Sequence, residues 1–115
     1  MNNYKIQRYE SIIQDKINKT IVFKVNNKYI KMARVSYVKL DKNLNNAKVY
    51  LDCQKREEKA QILENFQKLT ALFRAEVASE LDIFKTPKIT FFHDLSIEHA
   101  EKIDNIIKDI HSKEK

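Results

Sequence analysis

Glycine is missing altogether from this 115-residue chain, tryptophan is missing with it, and proline and cysteine occur once each. The first absence excludes the glycine-rich phosphate loops of P-loop proteins and dinucleotide folds, whose backbone N–H groups must close on phosphate with no Cβ in the way. It equally excludes the Gly-rich loop with which ordinary KH domains grip single-stranded RNA. Turns that need positive φ then fall to Asn or Asp, so Asn26-Asn27 and the run Asn43-Leu44-Asn45-Asn46 are the candidate turns. The lone Cys53 has no partner for an internal disulfide and no second thiol for a zinc site. No apolar run approaches the roughly 18 residues of a membrane span, so no membrane association is expected. The N-terminus lacks the charged segment, apolar block and small-residue cleavage site of a secretory leader, and the expected location is the cytoplasm.

What is present is charge, and it is uneven. Residues 1–56 hold 13 Lys/Arg against 4 Asp/Glu, a balance of +9, whereas residues 57–115 hold 9 against 12, a balance of −3. A basic half beside an acidic half points to a directed field and a polyanionic partner, although the excess of Lys, Asn and Ile throughout offers a compositional explanation as well. The size suits one core and one domain over residues 1–115, with a frayed tail at 112–115.

Apolar residues Ile6, Tyr9, Ile13, Ile17 and Ile21 recur every three or four positions, which predicts an amphipathic helix from Tyr4 to about Phe23, in competition with a strand over the β-branched stretch from Thr20. A strand-like run spans Tyr29 to Leu40, a loop Asp41 to Asn46, and an alternating strand Ala47 to Cys53; together they read as an antiparallel hairpin. From Glu57 a stripe of Ile62, Phe66, Leu69, Phe73, Val77 and Leu81 keeps helical spacing for about 25 residues, about 38 Å of helix. That exceeds the width of so small a domain, so a kink is expected near Thr70-Ala71. Pro87 stops any helix, Ile89 to Phe92 form a third strand, and Ser96 caps a last helix carrying Ile97, Ala100, Ile103, Ile107 and Ile110. The fold class is α+β: two layers, in the order α-β-β-α(kink)α-β-α, with helices burying against a three-stranded sheet.

In this arrangement several blocks acquire meaning: Gln7-Arg8 in the first helix, Val35-Ser36-Tyr37-Val38, Asp41 to Leu44 leading into Ala47-Lys48-Val49-Tyr50, Phe73-Arg74, Thr86-Pro87-Lys88-Ile89-Thr90-Phe91, and Asp94-Leu95-Ser96-Ile97-Glu98. Over nearly the whole chain they resemble the bacterial ribosome-binding factor A family. The resemblance implies a type II KH-like fold in which a helix-kink-helix stands in for the glycine loop. Family members typically carry Ala-x-Gly at the kink, where this chain reads Leu69-Thr70-Ala71. It further implies a non-enzymatic assembly factor; no cofactor or small-molecule substrate is expected, and with no dimer stripe in the sequence a monomer is expected. Such a factor binds the free small (30S) ribosomal subunit, assists late maturation and 5′-end processing of 16S rRNA, and matters most for growth in the cold.

Candidate RNA contacts are Lys5, Arg8 and Lys16 on the solvent-reaching side of the first helix, and Lys31, Arg34, Lys39 and Lys48 along the hairpin. Lys68, Arg74, Lys85 and Lys88 complete the set around the kink. Arg74 leads, because it matches the family and a guanidinium can hold two phosphate oxygens; the competing reading pairs it with Glu76 or Glu80 or sets it on carbonyls freed by the kink. Tyr37 and Tyr50 have base-stacking geometry available to them, but packing at the core or sheet edge is the preferred reading. His93, His99 and His111 fit no standard zinc spacing, so no metal or catalytic role is assigned. Two alternatives remain open: a general KH-like single-stranded RNA binder, and a protein-interaction domain whose acidic half docks a basic ribosomal protein.

Overall fold

The computed structural model describes residues 3–53, 55–83 and 85–94. The expected last helix, from its Ser96 cap to Ile110, lies outside the described residues. Helix α1 (Asn3–Phe23) is followed by strands β1 (Ala33–Leu40) and β2 (Asn46–Cys53), helices α2 (Lys59–Lys68) and α3 (Thr70–Ala78), and strand β3 (Lys88–His93). The sheet order is β1-β2-β3, with β1 antiparallel to β2 and β3 parallel to β2. This is the expected α+β architecture with a three-stranded sheet.

The helical pattern explains α1. Tyr9, Ile13, Ile17 and Ile21 form one buried row, and Thr20 keeps the β-branched end helical by donating its hydroxyl to Lys16 O at 2.8 Å. Without glycine the helix ends another way: the Lys31 ammonium donates to Ile21 O and Val22 O at 3.3 and 3.2 Å, satisfying carbonyls that a glycine cap usually covers. Next to the apolar row, Glu10, Gln14 and Asn18 repeat every fourth residue and lie along the outer edge of β1. Leu40 N donates to Glu10 Oε2 (2.7 Å), Val35 N donates to Asn18 Oδ1 (2.8 Å), and Asn18 Nδ2 returns a bond to Val35 O (3.2 Å). One side-chain amide thus occupies the place of a neighbouring strand and closes an edge that would otherwise invite pairing. Asn18→Leu, close in shape but unable to bond, should destabilise the fold by about 2 kcal/mol, because two hydrogen bonds go and the Val35 N–H is left unsatisfied. Urea denaturation measures this; a loss below about 0.5 kcal/mol would mean that solvent serves the strand edge equally well.

Two expectations are corrected, and β1 carries an irregularity besides. The strand does not begin at Tyr29: Ile30–Met32 is a 3-10 turn, set by Asn27 Oδ1 accepting from Tyr29 N and Ile30 N, so that Ile30 plugs the core and extended structure starts at Ala33. The strand also changes phase. Val35 faces Leu51 while Tyr37 faces Tyr50, leaving Ser36 as the extra residue of a β-bulge whose Val35 and Ser36 carbonyls accept from Gln14 Nε2. Finally, positive φ falls on Leu44 (60°) rather than on an asparagine. Asp41 organises that turn by accepting from Asn45 N and Asn46 N at 2.7 and 3.2 Å, while half-buried Leu44 packs on the core. Desolvation raises the Asp41 carboxyl, but these hydrogen bonds outweigh it and hold the group below its ordinary value.

Three rings join the helices to the sheet. Phe66 of α2, Phe73 of α3 and Phe91 of β3 meet with centroids 5.1 to 5.6 Å apart, all of them buried. The long helical stripe breaks between α2 and α3 at Leu69 (φ −101°, ψ 16°), at the start of the expected Leu69-Thr70-Ala71 kink. The Thr70 hydroxyl donates back toward Gln67 O (2.8 Å) and Phe66 O (3.3 Å), so a side chain supports the break where glycine is absent.

Candidate nucleic-acid interface

The break at Leu69 brings the start of α3 against the first residues of β2 and β3. Between them lies a groove of about 680 Å³ lined by Asn45, Asn46, Thr70, Ala71, Arg74, Lys85, Lys88 and Ile89. Its charged lining is three cations and no carboxylate, and the positive end of the α3 dipole adds to the same field. The polar remainder, two asparagines and a threonine, supplies neutral donors at the rim. Such a lining suits phosphate and sugar oxygens better than an apolar ligand.

Arg74 sits at the junction of this groove and a smaller hollow lined by Ala71, Ala75, Ala78 and Thr86. It pairs with neither Glu76 nor Glu80. Its Nη2 donates to Thr86 O at 2.9 Å and its Nε to Pro87 O at 3.3 Å, clamping the segment that enters β3. Two of five guanidinium donors are thereby engaged, and the residue is both a strut and an exposed cation. Lys85 and Lys88 are exposed on the same groove, whereas Lys68 lies on the last turn of α2 and pairs with Glu64 at 3.3 Å.

The other candidates separate into distinct places. Lys16 is not a solvent-facing contact: its side chain is 18% exposed, and it pairs with Glu76 and Glu80 at 3.6 and 3.4 Å, with Lys24 joining Glu76 at 2.9 Å. Glu76 of α3 and Glu80 just past its end thus tie this part of the chain to α1. The hydrogen bond from Lys24 is the main reason the Glu76 carboxyl lies below its ordinary value, against desolvation. Lys31 lies in the 3-10 turn, off the hairpin face, and caps α1; Arg34 donates from Nη1 to Ala33 O at 2.7 Å and to Lys31 O. Lys5 and Arg8 are exposed on α1, Lys5 lying 6.0 Å above the Tyr9 ring and Arg8 lining a shallow hollow with Tyr4, Gln7, Ser11 and Ile12. Lys39 and Lys48 are exposed cross-strand neighbours, and Lys48 points away from buried Val49 as its alternation requires. Tyr37 and Tyr50 are not core residues: they stack on each other on the solvent face of the sheet.

Sequence reasoning did not assign Asn45 and Asn46 to a site, since they read only as a turn; nothing local indicates that β3 will pair beside them. Cys53 Sγ is 3.6 Å from His93 Nδ1 across the sheet, a neighbour 40 residues away along the chain. Burial pushes this thiol up, Asp52 reinforces the shift and Lys59 opposes it, which is the wrong direction for a nucleophilic thiolate.

The comparisons decide the family. The ribosome-binding factor A family model matches residues 5–107. The chain belongs to the ribosome-binding factor A family. The Ureaplasma parvum ribosome-binding factor A is 38% identical over 113 residues, covering 98% of this chain and 97% of its own. Among solved structures, a Thermotoga maritima protein assigned to ribosome-binding factor A superposes with a TM-score of 0.69 at 26% identity, over 85% of this chain and 94% of that one. A homology model of Thermus thermophilus ribosome-binding factor A, as fitted into a cryo-electron microscopy map of a 30S complex, gives a TM-score of 0.62 at 17% identity, over 75% and 91%. The family's structures share this KH-like fold.

Proposed function

We propose that this protein is a ribosome assembly factor that binds the free 30S subunit and assists late maturation of 16S rRNA, including processing of its 5′ end. Membership of the ribosome-binding factor A family supports the ribosomal partner, and the Thermus relative fitted into a 30S map supports the small subunit. The observation in this molecule that carries the reading is the groove at the kink, with Arg74, Lys85 and Lys88 and no acid in its lining. Contacts of this kind position RNA through its backbone and shape. The protein acts by preferring one rRNA conformation over a competing one, a difference of affinities that needs no turnover and no cofactor. In this reading it works as a monomer in the cytoplasm, has no small-molecule substrate, and is most needed in the cold, where competing RNA structures persist. Among the described residues no helix is long and apolar enough to cross a membrane.

Co-sedimentation tests the proposal. Purified protein is pelleted with free small subunits, large subunits, intact ribosomes and naked RNA, each at two salt concentrations. Selective pelleting with free small subunits, weakening as salt rises, is the expected result. Equal binding to every RNA would replace it with the general single-strand binder, and pelleting with small subunits but not with naked RNA at either salt concentration with the protein-docking alternative.

A further inference from the structure

The solvent face of the sheet carries a second set of features. The bulge at Ser36 shifts β1 by one residue, and this turns Tyr37 outward opposite Tyr50; without it Tyr37 would follow Val35's alternation into the core. The Tyr37 and Tyr50 rings stack at 4.2 Å with 11° between their planes, and Tyr50 meets Phe92 of β3 at 5.6 Å and 28°. One aromatic row therefore crosses all three strands, with its end members Tyr37 and Phe92 41% and 38% exposed. The next row toward the groove is Lys39, Lys48 and Thr90, about 7 Å away at two residues per step, and the row after it ends on Lys88, which also lines the groove.

This face differs from an ordinary protein-docking patch. Its exposed apolar residues in these rows are all aromatic, with no Leu, Ile, Val or Met among them. Lys39 and Lys48 stand directly opposite each other, a like-charge pairing that destabilises a sheet unless something anionic lies over it. The acids of this face lie beyond the aromatic row, on the side away from these lysines: Asp52 of β2 opposite Arg34, and Asp94 just past β3, which after burial and Tyr50 helps hold the Tyr37 hydroxyl above its ordinary value. Flat π-surfaces beside an uncompensated row of cations match a strand whose bases are unpaired and whose phosphates follow one edge.

We propose that this partly exposed aromatic row is a base-stacking platform for unpaired RNA: a nucleobase joins the Tyr37–Tyr50–Phe92 pile as its next ring while Lys39 and Lys48 hold the adjoining phosphates. The platform extends the 30S-binding reading by a second RNA contact continuous with the groove through Lys88, and its test uses naked RNA so that the two stand or fall separately.

The probe is hexauridine, compared with an abasic hexanucleotide of the same charge, titrated into protein with labelled aromatic rings and followed by NMR. Hexauridine should shift the Tyr37, Tyr50 and Phe92 ring resonances, and the abasic strand should bind more weakly without moving them. Tyr37→Leu with Phe92→Leu, which keeps bulk but removes the rings, should weaken hexauridine binding by between about 5-fold and 150-fold for one stacked base. Should that variant fail to fold, Lys39→Gln with Lys48→Gln leaves the rings intact and should lower the salt dependence by about 1.4 log units per decade. Equal affinity for the abasic strand, or unmoved rings, overturns the platform even if co-sedimentation with small subunits persists. Ring shifts that follow protein concentration without RNA overturn it in favour of a second copy. Loss of small-subunit binding in the Leu variant with hexauridine binding unchanged overturns it in favour of a protein partner. Ring shifts with hexauridine in a protein that ignores small subunits uphold the platform and overturn the ribosomal reading.

Discussion

A Phe66→Ala protein should unfold at a urea concentration about 2 M below that of the parent chain. Phe66 is fully buried and touches both Phe73 and Phe91, so the substitution removes the ring that holds α2, α3 and β3 together. Truncating such a residue costs about 3–5 kcal/mol, and a urea slope of about 1–3 kcal/mol per molar converts that into the stated shift. Against a total stability of about 5–15 kcal/mol the loss is large enough to leave part of the population unfolded at rest. Far-UV circular dichroism across a urea series measures it. A midpoint displaced by less than about 0.5 M would show that neighbouring side chains collapse into the vacated space and that the three-ring contact is not what joins helices to sheet.

Reversing the groove charges should strongly weaken RNA binding without this loss of stability. Lys85 and Lys88 are exposed, and Lys85→Glu with Lys88→Glu replaces two attractive charges with two repulsive ones at the mouth of the groove. If each lysine neutralises one phosphate, the logarithm of affinity should also depend less steeply on the logarithm of salt, by about 1.4 to 1.8. The urea midpoint should stay where it was, which separates a lost contact from a lost fold. Arg74 requires a different substitution, because its bonds to Thr86 O and Pro87 O make Arg74→Glu a structural change as well. Arg74→Lys keeps the charge and loses the fork, so it should retain most of the salt dependence while loosening the approach to β3. Undiminished pelleting of the Lys85/Lys88 double variant with small subunits would move the interface elsewhere on the surface.

Local periodicity made much of this legible. The apolar rows of α1 and of α2 with α3, the alternation of β2, and the stop at Pro87 are short-range patterns, and a stripe too long for its domain implied a kink before any contact was known. Non-local facts were not legible. The parallel pairing of β3 with β2 places Lys88 beside Asn46, and the ion pairs of Lys16 depend on where α3 crosses α1. The bulge at Ser36 is likewise a bargain between Gln14, Asn18 and a strand met 17 to 22 residues later. Even Leu44 follows this rule. Residue preference alone favours an asparagine for positive φ, but the turn is held by Asp41, and the core side of that turn needs an apolar side chain.

The groove's two walls come from distant parts of the chain: Asn45 precedes β2 and Asn46 opens it, and Arg74, Lys85 and Lys88 follow the kink. They meet only when β3 closes onto β2, which is also the last long-range pairing the described sheet needs. A chain in which β3 is not docked therefore lacks the groove, and binding competence depends on that pairing. Any RNA that occupies the groove then acts as a chaperone by mass action, adding about 2.7 kcal/mol to the folded state at a hundred times its dissociation constant. A destabilised variant should accordingly be protected from proteolysis by its own target, in proportion to how much of that target is free.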